Sequence, residues 1–246
     1  MPHKLIRKLE HFTRLASDDR AALEALAQHR QRVYRARETI INEGDKPEVV
    51  NLFLDGWACR YKDLENGKRQ IMSIFVPGDI CDLNIFILKY MDHSIAALTS
   101  VTVVEISRDA FERAIARCPR VMQALWWDTL VTVAVQREWT MNVGQRDARE
   151  RISHLICELY TRLDCVGLVT DGACLFPLTQ SELGEATGLT PVSVNRVLQD
   201  LRRSNLIQLH DSRLRILDLP GLQQAAMFNP NYLHLDQEGS HLAANT

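Results

Sequence analysis

The segment from Leu178 to Leu201 constrains the chain most tightly, because it is punctuated as two short helices joined by one glycine turn. Thr179 stands three residues before Glu182, a capping box in which each side chain satisfies the other residue's free backbone N–H, so a first helix begins near Gln180. Gly188 then supplies the positive φ that ends a helix at little steric cost. Thr190 comes next as an N-cap with Pro191 at the first helical position, where a missing N–H loses nothing. Leu183, Ala186, Leu189, Val194, Val197, Leu198 and Leu201 recur at helical spacing and can close a small shared core. The opposite face of the second helix carries Val192, Ser193, Asn195, Arg196, Gln199 and Arg202. Such a face suits a major groove, where Arg and Asn each make bidentate contacts to base edges. The pattern predicts a DNA-binding helix-turn-helix; a plain helical hairpin with a solvated polar face is the alternative.

The segment behind the second helix narrows that choice. From Asn205 to Asp218 two short apolar runs flank His210 to Arg213, the pattern of a β-hairpin. A hairpin behind a recognition helix is a wing, with Arg213 and Arg215 placed to reach phosphates, although the same arginines would suit an ordinary solvated hairpin. The net charge of −2 supplies no global basic footprint, so positive charge must be concentrated locally. Between Thr190 and Ile216 five arginines face two aspartates, a modest excess.

With 246 residues and 46% apolar content the chain has room for two domains with separate cores. Six cysteines, at 59, 81, 118, 157, 165 and 174, form no Cys-x-x-Cys pair and sit mostly in apolar segments, which predicts buried thiols in a reducing compartment. The N-terminus scatters charge and lacks a signal-peptide core, and no apolar run reaches the ~18 residues of a membrane span. A cytoplasmic protein with no membrane partner is expected.

Residues 4 to 30 carry a helical stripe of Leu5, Leu9, Phe12, Leu15, Leu23, Leu26 and Ala27, with Ser17-Asp-Asp as a helix start. From about Val33 the period becomes two, and turn signals at Gly44-Asp45, Asp55-Gly56, Asn66-Gly67 and Gly78-Asp79 are separated by 12, 11 and 11 residues. Evenly spaced turns between short strands argue for an antiparallel sandwich or barrel. Strands are predicted at 50–54, 58–63 and 69–75 and, after a loop, at 95–106, with Asn66-Gly67 as a hairpin turn. From Asp109 the helical period returns. The stretch from Val121 to Val135 is apolar on almost every face and must be covered on two sides, by its own sandwich and by a second subunit or, alternatively, within one chain. A polar hinge falls near 143–149, and Ile152, Leu155, Ile156, Leu159 and Leu163 stripe the helix that opens the DNA-binding domain. Beyond 228 periodicity is lost, so 226–246 reads as a flexible tail.

Helix, regularly turned β-structure, long central helix and winged helix together resemble the CRP/FNR family of bacterial transcription regulators over about residues 5 to 220. Pro77-Gly78-Asp79, Arg149-Glu150-Arg151 and the stretch from Leu178 to Ile207 carry the likeness. It implies an α+β chain: an N-terminal double-stranded β-roll sensor of the cyclic-nucleotide-binding type over 1–143, including a dimerisation helix over about 109–143, then a winged helix-turn-helix over 144–225. The implied protein is a homodimer on palindromic double-stranded DNA with half-sites about one helical turn apart, working with RNA polymerase. Thr179 and Ser181 match the family's phosphate-contacting positions, Ser193, Asn195 and Arg196 its reading face, and Arg213 lies on the wing.

The chain also departs from that pattern. Pro191 and Val192 stand where many members carry an Arg or a Glu, so the family's familiar base preferences do not transfer; Val192 could meet a thymine methyl. In the effector pocket the expected Gly-Glu-Leu and Arg-Ser-Ala become Asp82, Leu83, Asn84 and His93, Ser94, Ile95. A leucine cannot bond a ribose and a neutral histidine is a poor phosphate clamp, which disfavours cyclic AMP. No cysteine precedes Cys59, which disfavours a [4Fe–4S] cluster. Haem stays open through Pro2, His3, Cys81 or His93, as does redox control through Cys157, Cys165 or Cys174. Neither a cofactor nor a metal site is predicted.

No nucleophile elbow, phosphate-binding Gly-rich loop with Lys, His-Glu-x-x-His or paired-cysteine metal site occurs, so catalysis has no sequence support. A cyclic-nucleotide module that docks a protein through its C-terminal helices is the other alternative; steep salt dependence of duplex binding separates it from DNA recognition.

Overall fold

A computed structural model describes residues 3–81, 83 and 85–235. The chain opens with helices α1 (Lys4–Leu9) and α2 (Ser17–Ala27). Asp19 starts α2 by accepting the Ala16 N–H at 2.8 Å, as the Ser-Asp-Asp signal predicts. Strands β1 (Gln31–Tyr34), β2 (Thr39–Ile41), β3 (Val49–Asp55), β4 (Ala58–Asp63), β5 (Arg69–Phe75) and β6 (Ile80–Cys81) come next, then a single 3₁₀ turn at Ile85–Ile87, β7 (Ser94–Ala97) and β8 (Val101–Ser107). They form two four-stranded sheets, ordered β1-β8-β3-β6 and β2-β7-β4-β5. The inner faces enclose Tyr34, Phe53, Phe75, Ile95, Val101 and Val103, with the Phe53 and Phe75 rings stacked 4.8 Å apart.

Periodicity misplaces one strand. The apolar run 95–106 is two strands, β7 and β8, that belong to different sheets. The corner between them is held by Trp57, whose carbonyl accepts the Leu98 and Thr99 N–H groups and whose own N–H donates to Thr99 Oγ1. An unbroken apolar run conceals such a corner. Gly56 makes it possible: its φ is +80°, and a Cβ there would fall against the Ser100 carbonyl oxygen. Gly56→Ala should therefore cost about 2 kcal/mol of folding stability, read by denaturant unfolding, with an unchanged midpoint contradicting the close approach.

After β8 come α3 (Arg108–Arg117) and α4 (Pro119–Gln145), separated at Cys118 because a residue before proline disfavours helical backbone. Next are α5 (Ala148–Cys165), β9 (Ala173–Leu175), α6 (Gln180–Thr187), α7 (Pro191–Arg203), β10 (Ile207–His210), β11 (Arg213–Ile216) and α8 (Leu219–Ala226). The predicted wing gains a strand, since the sheet runs β10-β11-β9. Its turn has positive φ at both Asp211 and Ser212, the conformation that suits a two-residue hairpin.

The described residues form two compact units, one within 3–60, 74–133 and 233–235, the other from 61–73 and 134–232. The division falls inside α4. In the first unit α1 is tied down by Lys8, whose ammonium lies 2.8 Å from Asp79 of the Pro-Gly-Asp turn and 2.6 Å from Asp128 of α4. Burial opposes that charge, but the two carboxylates more than offset it and hold the lysine pKa above its ordinary value.

The segment after α8 departs from the expected loose tail as far as Leu235. Phe228 and Leu233 are buried, and a 3₁₀ turn spans Pro230–Leu233. A single turn is too short to register as periodicity, which is why the sequence conceals it. Residues 236–246 lie outside the described residues.

Candidate nucleic-acid interface

Within the second unit α5 is the platform. Asp147 caps it by accepting the Glu150 N–H at 2.9 Å while Glu150 accepts the Asp147 N–H at 2.8 Å. The Arg149-Glu150-Arg151 motif is thus largely structural. Arg151 donates to the Arg146 and Thr187 carbonyls at 2.7 and 3.1 Å, and Arg149 pairs with Asp200 of α7 at 3.1 Å.

The helix-turn-helix matches its sequence signals residue by residue. Glu182 N–H reaches Thr179 Oγ1 at 3.2 Å and Thr179 N–H reaches the Glu182 carboxylate at 2.7 Å. Gly188 is left-handed at φ 68°, Thr190 accepts the Ser193 N–H at 3.2 Å, and Pro191 opens α7. Val194, Val197, Leu198 and Leu201 are buried on one face of α7. Val192, Arg196, Gln199 and Arg202 are on the other, with Val192 80% exposed, an apolar side chain held out beside polar ones.

The predicted contact residues differ in how free they are. Arg196 is exposed, and no hydrogen bond or ion pair among the described residues holds its guanidinium. Ser193 accepts a hydrogen bond from the Thr190 hydroxyl at 3.0 Å and is half-buried. Asn195 accepts from Gln180 Nε2 at 3.4 Å. Gln180, at the start of α6, carries no signal of its own in the sequence; only the fold brings it beside Asn195. Thr179 and Ser181 are exposed at the first turn of α6. On the wing Arg213 is exposed, whereas Arg215 donates to the Asp171 carbonyl at 3.1 Å and is partly committed to the domain's own backbone.

The expected effector residues lie in the other unit. Asp82 lies outside the described residues, as does Asn84; Leu83 is half-buried. His93 is 7% exposed and is not placed as a phosphate clamp: its Nε2 lies 3.1 Å from Arg60 Nε, and its Nδ1 2.7 Å from Asp92. Arginine only donates, so Nε2 must accept and Nδ1 carries the proton toward Asp92. Arg60, on β4, is a cation that the sequence pattern does not single out; it also lies over the Phe75 ring at 5.3 Å and 3.9 Å from Cys81 Sγ. Ser94 Oγ accepts the Glu43 N–H at 2.9 Å, and His3 Nδ1 caps α1 by accepting the Leu5 N–H at 3.2 Å. Cys157 and Cys174 are buried, and burial pushes their thiols up to about 12 and about 11. Among the described residues no cluster of three or more His, Cys, Asp or Glu could hold a metal ion, and no helix is long and apolar enough to cross a membrane.

A sheet roll with a long helix and a winged helix-turn-helix behind it defines a class of DNA-binding regulators, and comparison with known proteins specifies it. Residues 150–225 match the Crp-like helix-turn-helix domain, and residues 31–118 match the cyclic nucleotide-binding domain. The transcriptional activator protein FnrL of Cereibacter sphaeroides is 30% identical over 211 residues, covering 85% of this chain and 84% of that one. The cAMP-activated global transcriptional regulator CRP of Salmonella typhimurium is 28% identical over 180 residues, covering 72% and 84%. The structure of FixK2 from Bradyrhizobium japonicum superimposes with a TM-score of 0.71 at 23% identity, covering 80% of this chain and 96% of that one. The chain belongs to the CRP/FNR family of transcription regulators and carries its helix-turn-helix DNA-binding domain.

Proposed function

We propose that this regulator acts as a homodimer on a palindromic site, inserting α7 of each copy into successive major grooves, with Arg196 as the principal base reader. The observation that carries this reading is the exposed polar face of α7, on which Arg196 has no internal partner among the described residues while Ser193 is bonded to the Thr190 cap and Asn195 to Gln180. Asn195 joins Arg196 at the base edges, Ser193 reaches the groove from the capped turn, Thr179 and Ser181 take phosphates at the start of α6, and Arg213 takes one from the wing. Val192 offers a methyl-sized apolar contact.

The second copy docks on α4. Trp126, Leu130, Val133 and Met141 are exposed at intervals of four, three and eight residues, one stripe along the helix. Four large apolar side chains in line on an otherwise well-packed helix are the usual mark of an interface. Work in the cytoplasm with RNA polymerase, with no membrane partner and no catalysis, is the reading that kinship with named transcription activators supports.

The controlling signal enters at the roll, and the residues there favour something other than cyclic AMP. Leu83 brings no ribose acceptor, and His93 spends Nε2 on Arg60. Cofactor-free operation fits better than haem or redox sensing, because the single acceptor nitrogen of His93 and that of His3 each already accept an internal hydrogen bond and the thiols of Cys157 and Cys174 are held protonated by burial.

Arg196→Ala should cost about 1 to 3 kcal/mol of binding to a selected site and relax its sequence preference, whereas Arg213→Ala should weaken selected and random duplexes alike by a smaller amount. Equal losses on both duplexes from both changes would remove Arg196 from the reading role. Light scattering of the free protein should return twice the chain mass.

A further inference from the structure

The family's helix-turn-helix model ends at residue 225, but the chain continues in an ordered path. Met227 is left-handed at φ 46°, which turns the chain at the end of α8. Phe228 then meets the His154 ring edge-on at 5.2 Å, and Tyr232 stacks on the same ring at 5.9 Å. The Tyr232 hydroxyl donates to Glu158 at 3.1 Å. That carboxylate is fully buried and also accepts Trp139 Nε1 of α4, at 3.1 and 3.2 Å, and Arg162 of α5 at 3.2 Å. A single buried carboxylate thus gathers donors from α4, from α5 and from the C-terminal segment. Trp139 lies six residues before the end of α4, and Glu158 on the helix that leads into the helix-turn-helix.

The next residues along the chain are also held in place. Leu233 is 1% exposed, the His234 ring meets Trp127 of α4 edge-on at 6.0 Å, and the Leu235 carbonyl lies 3.3 Å from His11 Nδ1.

We propose that residues 228–232 form a strap that sets the junction of α4 and α5, and that Tyr232 is a positioning residue for DNA recognition, acting through Glu158. The proposal rests on the DNA-binding reading. Its physical basis is the buried carboxyl group at its centre, on which Trp139, Tyr232 and Arg162 converge. A buried carboxylate is costly unless its donors stay in place, so the network admits one arrangement of α4, α5 and strap and penalises others. Apolar filler would tolerate sliding; this network does not. Recognition helices held at one spacing bind a palindrome with both halves, whereas a loosened junction weakens that fit without weakening phosphate contacts.

The test uses three proteins: the full chain, a form ending at Met227, and Tyr232→Phe. Each is assayed below its melting temperature for affinity to a duplex selected with the full chain, affinity to a random duplex, and hydrogen exchange across 139–152. Both altered forms should lose about tenfold in the ratio of selected to random affinity, within the range of ordinary coupling energies, and exchange faster at 143–149. Lower melting temperatures with an unchanged affinity ratio and unchanged exchange would overturn the proposal and leave the strap as packing. Should the truncated form not fold, Tyr232→Phe decides alone. If the full chain selects no duplex, the DNA-binding reading fails separately, and unchanged exchange at 143–149 would still overturn the strap.

Discussion

Replacing Lys8 by methionine is expected to remove about 3 to 5 kcal/mol of folding stability, the usual consequence of leaving a buried ion pair without one partner. Lys8 keeps only 16% of its side chain exposed, and Asp79 and Asp128 keep 6% and 4%. Methionine preserves the length and apolar stem of the side chain, so the loss isolates the charge. Two carboxylates would then face each other across a site with little water, on the turn that closes the roll and on the central helix. Asp79 has a further duty, accepting the Val76 N–H at 2.8 Å, so its displacement would open the Pro77-Gly78-Asp79 turn itself. Equilibrium unfolding in denaturant measures the effect. Adding Asp79→Asn and Asp128→Asn to Lys8→Met should recover much of the loss, because two like charges no longer face each other. A loss below about 1 kcal/mol for Lys8→Met would place the triad among solvent-screened pairs.

The second large effect is on acid stability and resides in His154. This side chain is 1% exposed, and its ring nitrogens make no hydrogen bond among the described residues. Burial, and to a lesser degree the Arg146 charge, lower its pKa from 6.5 to about 3, even though Glu138 lies 3.4 Å from Nε2. The folded state therefore rejects a proton that the unfolded chain accepts. The resulting stability is complete above pH 6.5 and is lost as pH falls from there toward 3. A displacement of that size corresponds to roughly 4 to 5 kcal/mol at the acid end. His154→Phe keeps a ring between Phe228 and Tyr232 and cannot titrate. The thermal midpoint of the native protein should fall relative to that of the variant as pH is lowered from 6.5. Parallel curves over that window would show that His154 is not the group responsible.

Both effects depend on long-range contacts, and that marks the boundary of what a sequence discloses. The helix-turn-helix is legible to the residue because caps and turns are local: Thr179 with Glu182, Gly188, and Thr190 with Pro191 each act within a few positions. The roll is legible in outline, since its glycine turns are spaced like strands. The corner at 98–100 is not, because Trp57 fixes it from a distant strand end. Arg60 is hidden for a similar reason. A lone arginine within an alternating strand reads as surface until β4 brings it to His93. Arg215 groups with Arg213 because both alternate outward, and only the folded wing shows that one of them binds the Asp171 carbonyl. The strap reads as tail because only one 3₁₀ turn follows Phe228, and the partners of Phe228 and Tyr232, His154 and Glu158, lie more than seventy residues earlier.

Reading of a palindrome by a dimer through α7 is tested by selecting binding sites for the full chain from a random duplex library at fixed salt. An enriched palindrome whose half-sites lie about one helical turn apart is expected, with binding that weakens steeply as salt is raised. Duplex binding without any enriched sequence, or enrichment of a single half-site alone, would contradict it.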